Sequence, residues 1–461
     1  MGKVPVIVVF DVGKTNKKLF LFDGNYRIVF EKTARFIETT DEDGFPCENL
    51  ESLRSSVFDS LAEVSRLKEF EVKAINFSSY GASFVYINDH GHVVAPLYNY
   101  LKPYPGSLSQ KLYQKYGGSE KFAMQTASPQ LGSLNSGLQL FRMKEEKPAV
   151  FEQIRYALHL PQYLSFLLTG KACTDLTSIG CHTAMWDFEK NDYHRWIRDE
   201  HIIGKLPPLT RSDKTFSSLS KGSYKVGCGL HDSSAALIPY LMNFSDPFVL
   251  ISTGTWCISL NPFNLADLTA DDLQKDCLRF LQYQGSPVMA SRLFSGNEHE
   301  RQVKRIAAHF NSDIIKYRTV AFEPAIVKTL LKEQRQHSYE KEFKKTSAFD
   351  ARDLTAFGSD IEAYHQLILD LVNLQAASTD LVINKTPVKR IFVDGGFSRN
   401  NVFMNLLAAK YKGIEVYAAS MAQASAVGAA LAIHRSWNNR PVPNDIIQLK
   451  YYSAGQAIDL F

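Results

Sequence analysis

The sequence predicts an α/β protein built from two domains with a cleft between them. Runs rich in β-branched and aromatic residues alternate with amphipathic helical patterns along the chain. Each half also opens with a strand, a tight turn that contains glycine and a second strand, at Val6 to Asp23 and at Asp246 to Phe263. With 461 residues, 45% of them hydrophobic, the chain is long enough to bury large cores.

The first elements follow directly from this pattern. Val4 to Asp11 is a continuous apolar run of the kind found in a buried strand, and Lys17 to Asp23 with Ile28 to Phe36 completes a three-stranded meander. Apolar residues at helical spacing over Glu48 to Phe70 predict a helix. The β-rich run from Val72 to Gly81 then returns as a strand that ends in a glycine turn.

Helical patterns dominate the middle of the chain. They extend from about Leu112 to Thr169, and the last of them has Pro161 near its start and Gly170 just past its end. The segment from Leu206 to Gly229 is rich in Pro, Ser, Lys and Gly and predicts exposed connections. Further on, Val388 to Tyr411 predicts a strand, a turn with two glycines and a long amphipathic helix.

Composition excludes several classes of protein. A net charge of +4, from 52 basic and 48 acidic residues without a basic block, argues against a nucleic-acid or membrane partner. No apolar run approaches the about 18 residues of a membrane span, and the chain enters a strand without a signal peptide, so we expect a cytoplasmic protein. The six cysteines form no CxxC pair and have no histidines at metal-ligand spacing. We therefore expect reduced, mostly buried thiols rather than disulfides or a zinc site.

The turn after the first strand, within the letters FDVGKTN, has the residues of a phosphate site. Asp11 at the end of a buried strand could orient a hydrated magnesium ion, and Gly13 lets the backbone turn. Lys14, Thr15 and Asn16 offer donors to phosphate oxygens. Taken singly, an ordinary β-hairpin with glycine at its turn explains the same letters.

Two later turns carry similar chemistry. The segment STGTW, Ser252 to Trp256, offers hydroxyls and a glycine N–H, although such clusters are also common hairpin turns. The segment DGGFSRNN, Asp394 to Asn401, could hold a nucleoside, or it could be a helix entry that needs small residues. The patterns of a P-loop and of a dinucleotide fingerprint are absent from the sequence, which disfavours those nucleotide-binding folds.

A fourth segment, Val226 to Leu241, could supply a catalytic base. Glycines precede His231 and Asp232, and the small and apolar residues that follow predict a helix with the carboxylate at its mouth. Asp232 could be a simple N-cap. It could equally accept the proton of a sugar hydroxyl that attacks phosphorus, which is the usual task of an aspartate in phosphoryl transfer.

Together and in this order, these segments resemble the FGGY family of carbohydrate kinases, within the superfamily of actin, Hsp70 and hexokinase. The chain is most similar there to the kinases of L-fuculose and L-rhamnulose. The first phosphate motif is matched by Asp11, Gly13, Thr15 and Asn16, and the second by Ser252, Gly254, Thr255 and Trp256. The Gly-His-Asp segment is matched by His231 and Asp232, with Leu230 in place of the glycine, and the adenosine motif by Gly395, Gly396 and Asn400. The letters ASAVGAALA, 424–432, are similar to the closing helix of the family.

This resemblance implies two actin-like (ribonuclease H-like) ATPase domains, an amino-terminal one over 1–240 for the sugar and a carboxy-terminal one over 241–461 for ATP. It implies Asp232 as the catalytic base and Asp11 as the residue that holds Mg²⁺. The implied cofactor-binding residues are Gly13, Lys14, Thr15, Asn16, Thr253, Gly254, Thr255, Gly395, Gly396 and Asn400. The implied sugar contacts are Gly81, Ala82, His231 and Asp232. The partners are then ATP and a small sugar, and the resemblance leaves a homodimer open.

Departures from the family pattern concern the sugar. Ala82 and Ser83 follow Gly81 where the kinases of deoxy-ketoses usually carry an aspartate, and Ser286 to Val303 is more polar than the matching segment of relatives. We expect phosphorylation of a ketose, with 6-deoxy ketoses such as L-fuculose or L-rhamnulose first. Xylulose, ribulose and glycerol remain alternatives. A non-catalytic nucleotide-binding relative is a further alternative, although Asp11 and Asp232 are both present.

Overall fold

A computed structural model describes residues 2–14, 17–34, 38–220, 224–336, 347–421 and 423–453. Its strands, in chain order, are β1 Val4–Val12, β2 Lys17–Asp23, β3 Ile28–Ala34, β4 Glu38–Thr40, β5 Pro46–Glu48, β6 Phe70–Ser79, β7 Phe84–Ile87, β8 Tyr156–His159, β9 Thr174–Asp175, β10 Trp186–Asp187, β11 Asp192–Tyr193, β12 Leu209–Thr210, β13 Thr215–Ser217, β14 Lys225–Gly227, β15 Leu230–His231, β16 Phe248–Thr253, β17 Cys257–Asn261, β18 Cys277–Leu281, β19 Pro287–Leu293, β20 Arg390–Gly395, β21 Glu415–Ser420 and β22 Gln448–Tyr452.

Helices lie between these strands. They are α1 Leu50–Arg66, α2 Gly106–Lys115, α3 Ser119–Thr126, α4 Ser136–Glu146, α5 Pro148–Gln153, α6 Leu160–Thr169, α7 Leu176–Ile179, α8 Arg195–Asp199, α9 Asp232–Asn243, α10 Ala270–Gln274, α11 Ser295–Phe310, α12 Pro324–Gln336, α13 Asp360–Ile383, α14 Asn401–Lys410 and α15 Ala424–Ala432. Within the described ranges, no helix combines the length and the apolar character needed to cross a bilayer.

Two seven-stranded sheets form the centres of the two halves. The first has the order β13-β14-β6-β1-β2-β3, with β15 also paired to β6, and the second has the order β18-β19-β17-β16-β20-β21-β22. In the first sheet β1 pairs antiparallel with β2 and parallel with β6. In the second, β16 pairs antiparallel with β17 and parallel with β20. The predicted repetition of the opening motif is therefore present in the pairing of the strands.

A pair of helices joins the two sheets. Helix α9 contacts β6 of the first sheet and β16 of the second, while α15 contacts β1 and β6. The two helices pack so closely that a Cβ on Gly428 of α15 would lie 1.8 Å from the carbonyl oxygen of Ala235 in α9. Glycine is therefore required at this contact. Because α9 touches both sheets, the domain limits 1–240 and 241–461 stay a prediction.

Most of the predicted elements are present, with differences that have local causes. The helix expected over Glu48 to Phe70 is shorter, because Asn49 caps its start by accepting a hydrogen bond from the Ser52 N–H and Pro46–Glu48 pairs as a strand with β4. The segment from Leu206 to Gly229 is not only exposed connections, since β12, β13 and β14 pair there and Val226 and Cys228 are buried. All six cysteines are buried free thiols.

Candidate active site

Asp232 stands at the mouth of α9, where the chain leaves the first sheet. His231 occupies the N-cap position, so Asp232 is the first helical residue rather than the cap. Its Oδ1 accepts the Ser233 N–H at 2.6 Å. About a third of its side chain, 34%, is exposed to the cleft. Desolvation in the cleft raises the pKa of Asp232 to about 6, so the carboxylate is ionised at neutral pH yet remains a usable base.

Asp11 lies near the carboxyl end of β1, close enough to Asp232 for the two charges to interact. Its Oδ2 accepts a hydrogen bond from the Ser425 hydroxyl of α15 at 2.9 Å. The pKa of Asp11 is raised to about 6, chiefly by desolvation; the hydrogen bond from Ser425 lowers it in part, and the negative charge of Asp232 contributes to the increase. The negative charges of the two carboxylates therefore repel each other, and a bound cation would reduce this repulsion.

The first turn brings a lysine close to an acidic group. Lys14 Nζ lies 3.3 Å from Glu48 Oε1 and 5.7 Å from the ring centre of Tyr80. Lys17 Nζ lies 3.0 Å from the other oxygen of Glu48, and both of these residues are buried. That Lys14 binds phosphate stays a prediction, as does the role of Gly13. Thr15 and Asn16 lie outside the described residues.

The second turn is locked to the end of β20. Thr253 Oγ1 accepts the Phe397 N–H at 3.0 Å, and its carbonyl accepts the Gly396 N–H at 3.0 Å. Gly395 has a φ of 86°, and a Cβ there would lie 1.8 Å from the Thr253 carbonyl oxygen. The predicted phosphate turn and the predicted adenosine turn are thus one continuous surface, on which Gly254 and Thr255 are exposed.

Gly396 and Asn400, which are also predicted to bind adenosine, differ in how much space they leave for a ligand. Around Gly396, apart from its two chain neighbours, no atom of the described residues lies within 4 Å of the place a Cβ would take, so a ligand could approach its backbone closely. Asn400 caps α14: its Oδ1 accepts the Phe403 N–H at 3.0 Å and its Nδ2 donates to the Tyr364 hydroxyl at 2.8 Å. The structure thus gives Asn400 a structural task, and its contact with a nucleoside stays a prediction.

The predicted sugar residues come together on the first domain. A Cβ on Gly81 would lie 3.0 Å from Cδ2 of His231, so the glycine turn packs against that ring. Ala82 adopts a φ of 62°, and its carbonyl accepts a hydrogen bond from Gln139 Nε2 at 2.6 Å. His231 is buried, and its Nε2 lies 3.4 Å from Asp232 Oδ1. Gly81, Ala82, His231 and Asp232 therefore form one wall.

Sequence reasoning missed Arg292, a buried cation beside this wall. Its guanidinium lies 5.3 Å from the ring centre of Trp256 and 2.9 Å from Asp276 Oδ1. After burial, the positive charge of Arg292 is the second cause that lowers the pKa of His231, to about 4. The available signal was the polar segment Ser286 to Val303, which contains this arginine.

Comparison with known proteins identifies the family. Residues 6–235 match the N-terminal domain of the FGGY family of carbohydrate kinases, and residues 245–441 match the C-terminal domain of FGGY carbohydrate kinases. The chain belongs to the FGGY family. It is therefore an ATP-dependent sugar kinase with the two-domain fold of that family, as the resemblance of its motifs predicted.

Individual relatives are distant. The chain is 24% identical to a rhamnulokinase of Mannheimia succiniciproducens over 92% of this chain and 88% of that protein. It is 22% identical to an L-fuculokinase of Escherichia coli K12, over 62% of this chain and 60% of that protein. A ligand-bound xylulose kinase from Lactobacillus acidophilus has a similar fold, with a TM-score of 0.78, 16% identity, and coverage of 99% of this chain and 96% of that one.

Proposed function

We propose that this sugar kinase phosphorylates a hydroxyl of a ketose, with Asp232 as the base and Asp11 as the residue that holds Mg²⁺. The observation that carries the proposal is the pair Asp11 and Asp232, two carboxylates with raised pKa values that are close enough for the charge of Asp232 to act on Asp11. The contact between the turns at Thr253 and Gly395, together with the glycine turn at Gly13, supports ATP as the donor.

The oxygen chemistry at Asp11 fits magnesium. A carboxylate at a strand end, hydrogen-bonded to Ser425, offers the hard oxygen ligand that Mg²⁺ prefers, directly or through water. Bound there, the ion would neutralise negative charge on the phosphate oxygens. Among the described residues, no lysine, arginine or histidine lies within salt-bridge distance of Asp11, which leaves that charge for a metal.

Asp232 would accept the proton of the attacking hydroxyl. Its carboxylate is ionised above a pH of about 6 and projects from the start of a helix, where the helix N–H groups support negative charge. His231 would orient the sugar from the neighbouring position, and its lowered pKa, about 4, keeps the ring neutral at physiological pH. Closure of the cleft over the bound sugar would exclude water from the transfer.

Within the ketoses, we place 6-deoxy ketoses such as L-rhamnulose and L-fuculose first. Similarity to a rhamnulokinase over nearly the whole chain supports this order. Ser83, whose hydroxyl donates to the Tyr98 carbonyl at 3.3 Å, is already engaged within the protein. Because one polar contact can change discrimination between sugars by orders of magnitude, xylulose, ribulose and glycerol stay as second candidates.

A coupled assay of ADP release tests the proposal. The panel contains L-rhamnulose, L-fuculose, D-xylulose, D-ribulose, D-fructose and glycerol, each with ATP and Mg²⁺, and ATP alone sets the background. We expect one ketose to stand well above the others. If every sugar stays at the background rate of ATP hydrolysis, the ketose assignment is wrong.

A further inference from the structure

A cluster of three soft and borderline metal ligands lies behind the wall that carries Asp232. The ligand atoms of Cys181, His182 and His231 all lie within 4.8 Å of one another, and all three residues are buried. Cys181 and His182 follow helix α7, whereas His231 ends strand β15. Their spacing in the sequence does not resemble a metal motif, and only the fold brings them together.

The hydrogen bonds fix the His182 imidazole in the form that binds a metal and allow the same form for His231. His182 Nδ1 lies 3.0 Å from the carbonyl oxygen of Leu134, which can only accept, so Nδ1 carries the proton and Nε2 keeps its lone pair. The Ser234 hydroxyl donates to the Leu281 carbonyl at 3.4 Å and can therefore accept from His231 Nδ1, which also lies 3.4 Å away. An imidazole that donates one N–H to an oxygen and offers the other nitrogen is the usual state of a metal-ligating histidine.

A sulfur atom supplies the third ligand. Cys181 Sγ packs against the Gly81 turn, where a Cβ would come within 3.1 Å of it, so the glycine leaves room beside the sulfur. Asp232 Oδ1 lies 3.4 Å from His231 Nε2 but does not belong to the group of ligand atoms that all lie within 4.8 Å of one another, so water would supply a fourth ligand. The nearby cation Arg292 is already paired with Asp276 at 2.9 Å, which reduces its repulsion of a metal.

We propose that Cys181, His182 and His231 bind a soft divalent cation of the Zn²⁺ class, with water as the fourth ligand, and that the bound cation inhibits the kinase. Sulfur and imidazole ligands select zinc over magnesium, so this site differs in chemistry from the oxygen site at Asp11. Inhibition follows because the metal would occupy the His231 imidazole proposed to orient the sugar and would place a positive charge beside Asp232, whose Oδ1 lies 3.4 Å from His231 Nε2.

Zinc binding must release the thiol proton. Burial raises the pKa of Cys181, and its Sγ–H donates to the Ser178 carbonyl at 3.3 Å. The cation forms a metal–sulfur bond as the S–H bond breaks, and the proton passes to solvent or buffer. Affinity should therefore increase with pH, and one proton should be released for each metal bound.

Cobalt provides the direct test, because Co²⁺ occupies such sites and reports its ligands by absorption. Titration of the full chain with Co²⁺ under reducing conditions should give a sulfur-to-cobalt charge-transfer band and visible ligand-field bands of a tetrahedral ion. Added Zn²⁺ should abolish both, whereas excess Mg²⁺ should leave them. The variant Cys181→Ser should lose the charge-transfer band. Loss of a residue that only supports a metal ligand weakens metal binding by about 10–100-fold, and loss of the ligand Cys181 should weaken Zn²⁺ binding by more than this.

Matched variants separate this site from other thiols and from misfolding. Cys277→Ser removes another buried cysteine and should keep both bands. His182→Gln removes a different ligand and should weaken the ligand-field bands even if Cys181→Ser fails to fold, as judged by circular dichroism. Absence of the charge-transfer band in the unmodified chain, or its persistence in folded Cys181→Ser, would overturn the proposal.

The inhibition is measured separately with the best sugar of the panel. Zn²⁺ should raise the apparent KM for the sugar at saturating Mg·ATP and leave kcat nearly unchanged, and a chelator should restore activity. Equal inhibition of the unmodified chain and Cys181→Ser would overturn the inhibitory role, since it would show that zinc acts on the nucleotide. If no sugar of the panel reacts, the absorption experiment still decides whether the cation binds.

Discussion

Replacing Asp232 by asparagine should remove turnover. It should also remove the loss of activity at low pH that protonation of this carboxylate causes. The substitution keeps size and removes proton acceptance, and loss of a general base typically lowers kcat by about 10²–10⁴-fold. At about 1.36 kcal/mol per factor of ten, this is about 2.7–5.4 kcal/mol of transition-state free energy. Because desolvation raises the pKa of Asp232 to about 6, the unmodified enzyme should lose activity as pH falls through about 6, approaching tenfold for each further pH unit.

Asp11 is the group that could imitate this profile, since its pKa is also raised to about 6. Saturating Mg²⁺ separates the two, because a bound cation stabilises ionised Asp11 and shifts its titration to lower pH. His231 does not interfere, as its pKa lies at about 4. The measurement is kcat/KM for the sugar between pH 5 and pH 8, by coupled ADP release at two Mg²⁺ concentrations, because this ratio reports the pKa values of the free enzyme. Turnover of Asp232→Asn close to that of the unmodified enzyme would refute the assignment of Asp232 as the base.

Three further predictions concern the cleft and its support. Asp11→Ala should abolish Mg²⁺-dependent turnover and leave ADP affinity in calorimetry largely intact, because the predicted adenosine surface lies around Gly395; unchanged Mg²⁺ dependence would make Asp11 merely structural. Gly395→Ala should weaken nucleotide binding. The new Cβ would lie 1.8 Å from the Thr253 carbonyl oxygen, and the φ of 86° disfavours alanine, so the turns at Thr253 and Gly395 must move apart. Unchanged ATP affinity would contradict this. Gly428→Ala should lower the free energy of unfolding by about 1–3 kcal/mol in a denaturant titration, the usual cost of overpacking. Gly106→Ala is its control, because no described atom lies within 4 Å of a Cβ there, and an equal effect of both would contradict the helix contact.

The sequence predicted best what depends on neighbouring residues. β2, Lys17–Asp23, has the predicted limits, and the helix that begins at Asp232 starts where its small and apolar residues indicated. Gly170 ends α6 with a φ of 62°, as a glycine just past a helix commonly does. These features follow from local backbone preferences and from the period of apolar residues, both of which are readable in a short window.

Contacts between distant residues could not be read in the same way. Lys14 pairs with Glu48, which is 34 residues away, and the sequence offered no reason to choose that carboxylate among 48 acidic residues. The proximity of Cys181 and His231 likewise depends on the pairing of β15 with β6. The pattern of motifs therefore identified the family and the candidate residues, whereas their partners required the fold.

The helix pair α9 and α15 explains why the two predicted catalytic carboxylates share one cleft. Asp232 is the first residue of α9, and Ser425 near the start of α15 donates to Asp11 at the end of the first sheet. Because Gly428 lets the two helix backbones approach closely, the helices cannot slide past each other without a steric clash. Closure of the cleft should therefore leave the distance between Asp11 and Asp232 nearly constant and move the second turn, Thr253 to Thr255, toward them. Pairs of spin labels would measure the distance between the surroundings of Asp11 and Asp232, and the distance from there to the turn Thr253 to Thr255, with and without sugar and nucleotide. We expect only the distance to the turn to change.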